Sequence, residues 1–122
     1  MEKKTFSCGL EAALSVIGGK WKLLILWQLS HKPARFGELR RLVVGVSEKV
    51  LIQQLKEMIA DQIVSRKDFR EVPPRVEYSL TQFGRSLSET LVPLCEWGNL
   101  HMKRIGRSAV RSASASKTGM PC

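Results

Sequence analysis

Long apolar runs are missing from this chain. The longest, Leu23-Leu24-Ile25-Leu26-Trp27, falls far short of the about 20 residues that cross a bilayer. No membrane partner is therefore expected. The N-terminus also lacks an apolar stretch followed by a small-residue cleavage site, so a cytoplasmic protein is expected. Cysteine is scarce. Cys8, Cys95 and Cys122 are odd in number and far apart, unlike a disulfide framework, and reduced thiols are expected. His31 and His101 form no paired spacing with them, which argues against a structural zinc site, and no other cofactor is indicated. Acid is short as well, with 11 Asp and Glu against 20 Lys and Arg.

Catalytic signatures are equally sparse. Gly18-Gly19-Lys20-Trp21 resembles a phosphate loop only loosely, since no Gly precedes it at the right distance and Trp follows the lysine. The carboxylates are scattered and no Ser-His-Asp order points to a nucleophile. No catalytic residue is assigned, and an enzyme is not expected.

What is present is an ordinary globular composition, 43% hydrophobic and 25% charged, over 122 residues, enough for one domain with a continuous core. The net charge of +9 is unevenly placed: five bases and no acid follow His101. Such a balance invites a polyanion, chiefly nucleic acid. Residues 1–106 read as a folded domain. Residues 107–122, basic and rich in Ser and Ala, read as a disordered tail.

Periodicity organises the domain. Leu10, Ala13, Leu14 and Ile17 share one helical face, and Gly18-Gly19 stops that helix. Lys20 to His31 is apolar almost all round, as a buried central helix would be, and Pro33 ends it. Phe36, Leu39, Leu42 and Val43 mark a short helix from about Arg35 to Val43. A tight turn at Val44-Gly45-Val46 follows, and Ser47 caps a further helix reaching roughly Asp61, with Leu51, Leu55, Met58 and Ile59 turned inward. Two short helices joined by a glycine-containing turn make a helix-turn-helix. Ile63–Phe69 and Val76–Leu80 are β-capable, and the Arg70–Arg75 tip with Pro73-Pro74 makes them a hairpin, or wing. Thr81 is placed to cap the last helix, whose Phe83, Leu87, Leu91, Leu94, Gly98, Met102 and Ile105 form a heptad-like seam broken or kinked near Pro93. That seam fits either a partner helix in a dimer or this chain's own core.

The fold class is thus mainly α with a β-hairpin wing (α+β), a winged helix-turn-helix. In such a module the helix after the turn enters a major groove of double-stranded DNA. If Leu51, Leu55 and Met58 face inward, Lys49, Gln53 and Lys56 share the outer side. Ser47, Lys49 and Gln53 are the candidate base-reading residues. Lys suits guanine O6 and N7, Gln suits adenine N6 and N7, and Ser47 with the helix-start amides also suits phosphate. Arg35, Arg40, Arg41 and Lys56 are candidates for the DNA backbone, and Arg70 and Arg75 for wing contacts. The alternative is a protein-interaction module using the same surface for docking. No polar residues converge on a small-molecule pocket, so no effector is named.

The segments "CGLEAALSVIGGKWKLLILWQL", "RFGELRRLVVGVSEKVLIQQLKEM", "EVPPRVEYSLTQFGRSL" and "LCEWG" resemble the HxlR family of bacterial transcriptional regulators, from about Cys8 to His101. The resemblance implies a winged-helix regulator, repressor or activator, that dimerises through its terminal helices and binds a pseudo-palindromic operator. Several members of that family sense oxidants or electrophiles through a cysteine at the position of Cys8, so Cys8 is a candidate sensor. It precedes a helix start, where the dipole favours a thiolate. Gly9 stands where many relatives have Pro. The other reading of Cys8 is a small residue packed at the dimer interface.

Overall fold

The computed structural model describes residues 5–106. Its elements run α1 (Gly9–Ile17), α2 (Lys20–Leu29), α3 (Phe36–Leu42), α4 (Glu48–Ala60), β1 (Val64–Asp68), β2 (Val76–Leu80), α5 (Gln82–Ser88) and α6 (Leu91–Ile105). The basic tail expected over 107–122 lies outside the described residues. The chain divides into two compact units, one up to Arg85 and one from Ser86.

The first unit is a winged helix-turn-helix. Its centre is α2, which packs against α3, α4 and β2. Ile25, Leu26 and Leu29 of α2 are buried with Leu39, Val43, Leu51, Leu55, Met58, Ile63 and Val64. These side chains lie one or two helical turns apart on α3 and α4, so one stripe of each helix faces inward. α2 leaves only Lys20 and Leu24 exposed, one turn apart, and its other side chains are buried or half-buried. Among the buried ones is Lys22, only 9% exposed between hydrophobics.

The turn between α3 and α4 has the expected chemistry. Gly45 adopts φ +93°, a left-handed conformation that side chains other than hydrogen resist. Ser47 Oγ then accepts the Val50 N–H at 3.2 Å, satisfying one of the free amides at the start of α4. After α4 the hairpin pairs antiparallel with Val64 opposite Leu80 and Asp68 opposite Val76. Ala34 adds a bridge at the other side of β2, exchanging both backbone hydrogen bonds with Tyr78 at 2.9 and 2.8 Å. That bridge ties the segment leading into α3 to the base of the wing.

Of the two readings open for the terminal segment, kinked or broken, the structure has the break. There are two helices, separated at Glu89–Thr90, a little before the position expected, and Pro93 sits in the first turn of α6, where its missing N–H costs little. Thr81 does cap a helix, but it is the short α5: its Oγ1 accepts the Gly84 N–H at 2.9 Å and donates to the Gln62 carbonyl at 2.6 Å. Gly84 has to be glycine there, because a Cβ would stand 2.1 Å from the Ile63 carbonyl oxygen.

The terminal helices are apolar but uncovered. α1 buries no residue, and Leu10 and Leu14 are 69% and 54% exposed. In the second unit Leu91 is buried, whereas Leu94, Trp97, Leu100 and Ile105 of α6 are exposed. Cys8 is free and exposed. No described helix is long and apolar enough to cross a membrane, and the described residues hold no cluster of three His, Cys, Asp or Glu suited to a metal.

Candidate nucleic-acid interface

Burying Leu51, Leu55 and Met58 turns the opposite side of α4 outward. Ser47, Lys49, Gln53 and Lys56 are all exposed, and with Glu48, Val50 and Ile52 they line one open hollow along the helix. The structure therefore brings the three candidate base-reading residues and Lys56 onto a single surface. Ser47 has two functions to combine there: its oxygen is occupied by the cap, while its O–H remains able to donate. Lys49 and Lys56 have no ion-pair partner among the described residues, which leaves both ammonium groups available to an anion.

Gln53 is different. Its Nε2 donates to Glu57 Oε2 at 2.8 Å, one helical turn on. The other carboxylate oxygen of Glu57 meets Lys22 Nζ at 2.6 Å. Lys22 reaches this point from α2 with its side chain 11% exposed, while Glu57 is 41% exposed. The Gln53 and Lys22 hydrogen bonds, and then the Lys22 charge, hold the Glu57 carboxyl below its ordinary pKa. Sequence reasoning passed over Lys22 and Glu57. The usable signal was a lone lysine two residues inside an apolar helix, since a lysine that deep nearly always has a paired acid.

Of the backbone candidates, Arg40 approaches the start of α4. Arg35, Arg40 and Arg41 are exposed on and before α3. The Arg35 N–H donates to Glu38 Oε1 at 3.0 Å, which closes the start of α3 while leaving the guanidinium outside. Arg40 stands 3.7 Å from Glu48 at the start of α4, with both side chains more than half exposed. Such a surface pair is weak and exchanges readily for a phosphate.

In the wing the two candidate arginines part company. Arg70 is exposed at φ +55°, held by its own N–H donating to Asp68 Oδ1 at 2.8 Å. Arg75 is folded back: its guanidinium lies 3.6 Å from the centre of the Phe69 ring, 3.4 Å from Glu71 and 4.0 Å from Glu77. Lys67 also approaches the Phe69 ring, at 4.6 Å. The peptide before Pro73 is cis. Arg66 and Lys67, exposed on β1, are further bases that the sequence reading did not single out.

Comparison with known proteins agrees with this geometry. Residues 16–106 match the model of a family described as HxlR-like helix-turn-helix. The HTH-type transcriptional regulator YtcD of Bacillus subtilis is 48% identical over 105 residues, 86% of this chain and 83% of the relative. The solved structure of the redox regulator HypR in its reduced form superposes with a TM-score of 0.72 at 42% identity, covering 75% of this chain and 91% of that one. A protein of Porphyromonas gingivalis described as a MarR-family transcriptional regulator superposes at 0.76 with 34% identity, over 84% of this chain and all of its own length, 100%.

Proposed function

The chain belongs to the HxlR-like helix-turn-helix family, and on that premise we propose that it acts in the cytoplasm as a homodimer on a pseudo-palindromic operator. It is a DNA-binding transcriptional regulator and not an enzyme. In the reading we favour, α4 of each subunit enters a major groove. The observation that carries this is the exposed side of α4, where Lys49 and Lys56 flank Gln53 with neither lysine paired to an acid among the described residues.

Ser47, Lys49 and Gln53 are assigned to base edges, and Arg35, Arg40, Arg41 and Lys56 to the sugar-phosphate backbone. At the wing, Arg70 is the DNA contact. Arg75 is given to the shape of the hairpin instead, because its charge is already engaged by Glu71, Glu77 and the Phe69 ring. Support for a dimer comes from α1 and α6, which each leave large apolar side chains exposed in the single chain. Two recognition helices related by a twofold axis would lie about 34 Å apart, one turn of DNA, or a multiple of that. Selection of bound duplexes from a random pool tests this reading. A twofold-symmetric sequence with half-sites a whole number of turns apart is the expected result, and an asymmetric or single half-site sequence overturns it.

Cys8 is the group we assign to oxidant or electrophile sensing. It is exposed and free, it is the N-cap residue of α1, and no side-chain cap bond engages it. Pretreatment with an oxidant or an electrophile should weaken operator binding in the wild type and not in Cys8→Ser. Loss of binding that persists in Cys8→Ser would remove this residue from the role.

A further inference from the structure

A carboxylate can only accept, and that fact gives the Lys22–Glu57–Gln53 chain a direction. Lys22 Nζ lies 2.6 Å from one oxygen of Glu57 and Gln53 Nε2 lies 2.8 Å from the other, so Glu57 is held between two donors. The opposite orientation of the Gln53 amide would set its oxygen against the carboxylate. We propose that Lys22 and Glu57 are positioning residues for base recognition, holding the Gln53 carboxamide so that Oε1 and one remaining N–H face the groove. The inference rests on the reading that Gln53 contacts a base.

Several observations support it. Lys22 is buried on α2 with Ile25, Leu26 and Leu29, and placing an ammonium there is costly unless a counter-charge meets it. An apolar residue would serve the core at least as well. Glu57, in turn, spends its second oxygen on an exposed glutamine of α4 and not on the core. Lys22 also neutralises an acid that would otherwise repel phosphates next to the groove-facing surface. The depressed pKa of Glu57 means that the acceptor stays ionised under ordinary conditions, keeping the amide in one orientation.

The consequence is a preference with a sign. One oxygen acceptor and one N–H donor, side by side, match N6 and N7 of adenine. A glutamine fixed in advance also gives up less rotamer freedom on binding than a free one. Reversing the amide would present the donors and shift the match to a carbonyl-bearing base.

The test is selection from a random pool with the full-length protein and its Gln53→Ala, Lys22→Met, Lys22→Arg and Glu57→Gln variants. For each, the affinity for the selected site is compared with that for the site changed at one pair. In wild type the pair lost in Gln53→Ala should be discriminated by about tenfold or more. Lys22→Met, close in shape but uncharged, should lower that ratio toward unity at the same pair, and Lys22→Arg should restore much of it. Glu57→Gln keeps an oxygen for Lys22 and turns an N–H toward Gln53, so preference should move to guanine or thymine or be lost. This variant decides the matter if Lys22→Met does not fold. If Gln53→Ala abolishes a preference that Lys22→Met and Glu57→Gln both retain, the relay is wrong and base contact by Gln53 stands. If Gln53→Ala retains every preference, the base contact itself fails and takes the relay with it.

Discussion

Replacing Arg70 or Arg75 with alanine removes one positive charge from the same wing, and the two changes should nevertheless have different effects. Arg70 is exposed, with only its backbone N–H tied down by Asp68. Arg75 already faces two carboxylates, at 3.4 and 4.0 Å, and an aromatic ring at 3.6 Å. A phosphate contact releases condensed counterions and adds about −0.9 to the slope of log K against log salt, so two Arg70 side chains in a dimer account for about 1.8. Measured against 1 M salt, that loss amounts to about 60-fold in affinity at about 0.1 M and about ninefold at about 0.3 M. Arg70→Ala should therefore flatten the salt dependence and weaken operator and random duplex alike. Arg75→Ala should leave the slope unchanged and instead cost on the order of 1 kcal/mol of stability, from the lost ring and ion-pair contacts. Fluorescence anisotropy on a labelled duplex across a salt series reads the slope, and urea unfolding reads the stability. A flattened slope in Arg75→Ala, with that of Arg70→Ala unchanged, would refute the assignment of roles in the wing.

Gly45→Ala places a Cβ on a backbone at φ +93° and should cost about 1–2 kcal/mol, measurable by urea unfolding, with Gly45→Asn milder. The nearest atom to that Cβ would be Trp21 Cη2 at 3.7 Å, an ordinary contact, so the cost comes from the backbone and not from crowding. Ser47→Ala removes the acceptor for the Val50 N–H and should destabilise by about 1 kcal/mol, whereas Ser47→Asp should hold the cap yet weaken DNA binding by adding an anion at the groove. Glu57 has a folded-state pKa below its ordinary value of 4.5. Its contribution to stability is therefore full above that value and lost as pH falls through the lower, folded-state one. The stability difference between wild type and Glu57→Gln in urea should be constant near neutrality and shrink in acid. A difference that stays constant into strong acid would contradict the link.

Much of this architecture is readable from local signals. The apolar ring of α2, the inward spacing of Leu51, Leu55 and Met58, Gly45 before a capping Ser47, and prolines between two β-capable runs each constrain the backbone within a few residues. Such signals act at short range, which is why the helix-turn-helix and wing are legible in the sequence. The break between α5 and α6 was harder to place, because Pro93 tolerates either a kink or a first-turn position.

The outward residues of α4 were equally legible as a group, since burying one stripe of a helix exposes the other. Their individual states were not. Nothing in the spacing of Gln53 announces that its amide is bound to Glu57, or that Glu57 answers a lysine from α2. Nor does composition separate Arg70, exposed at a positive φ, from Arg75, whose charge meets two carboxylates and a ring. Periodicity and turn chemistry determine which face of an element is wet, because those rules depend on neighbours a few residues away. Which charges are free to meet DNA depends on partners supplied by other elements, and only the tertiary structure decided that.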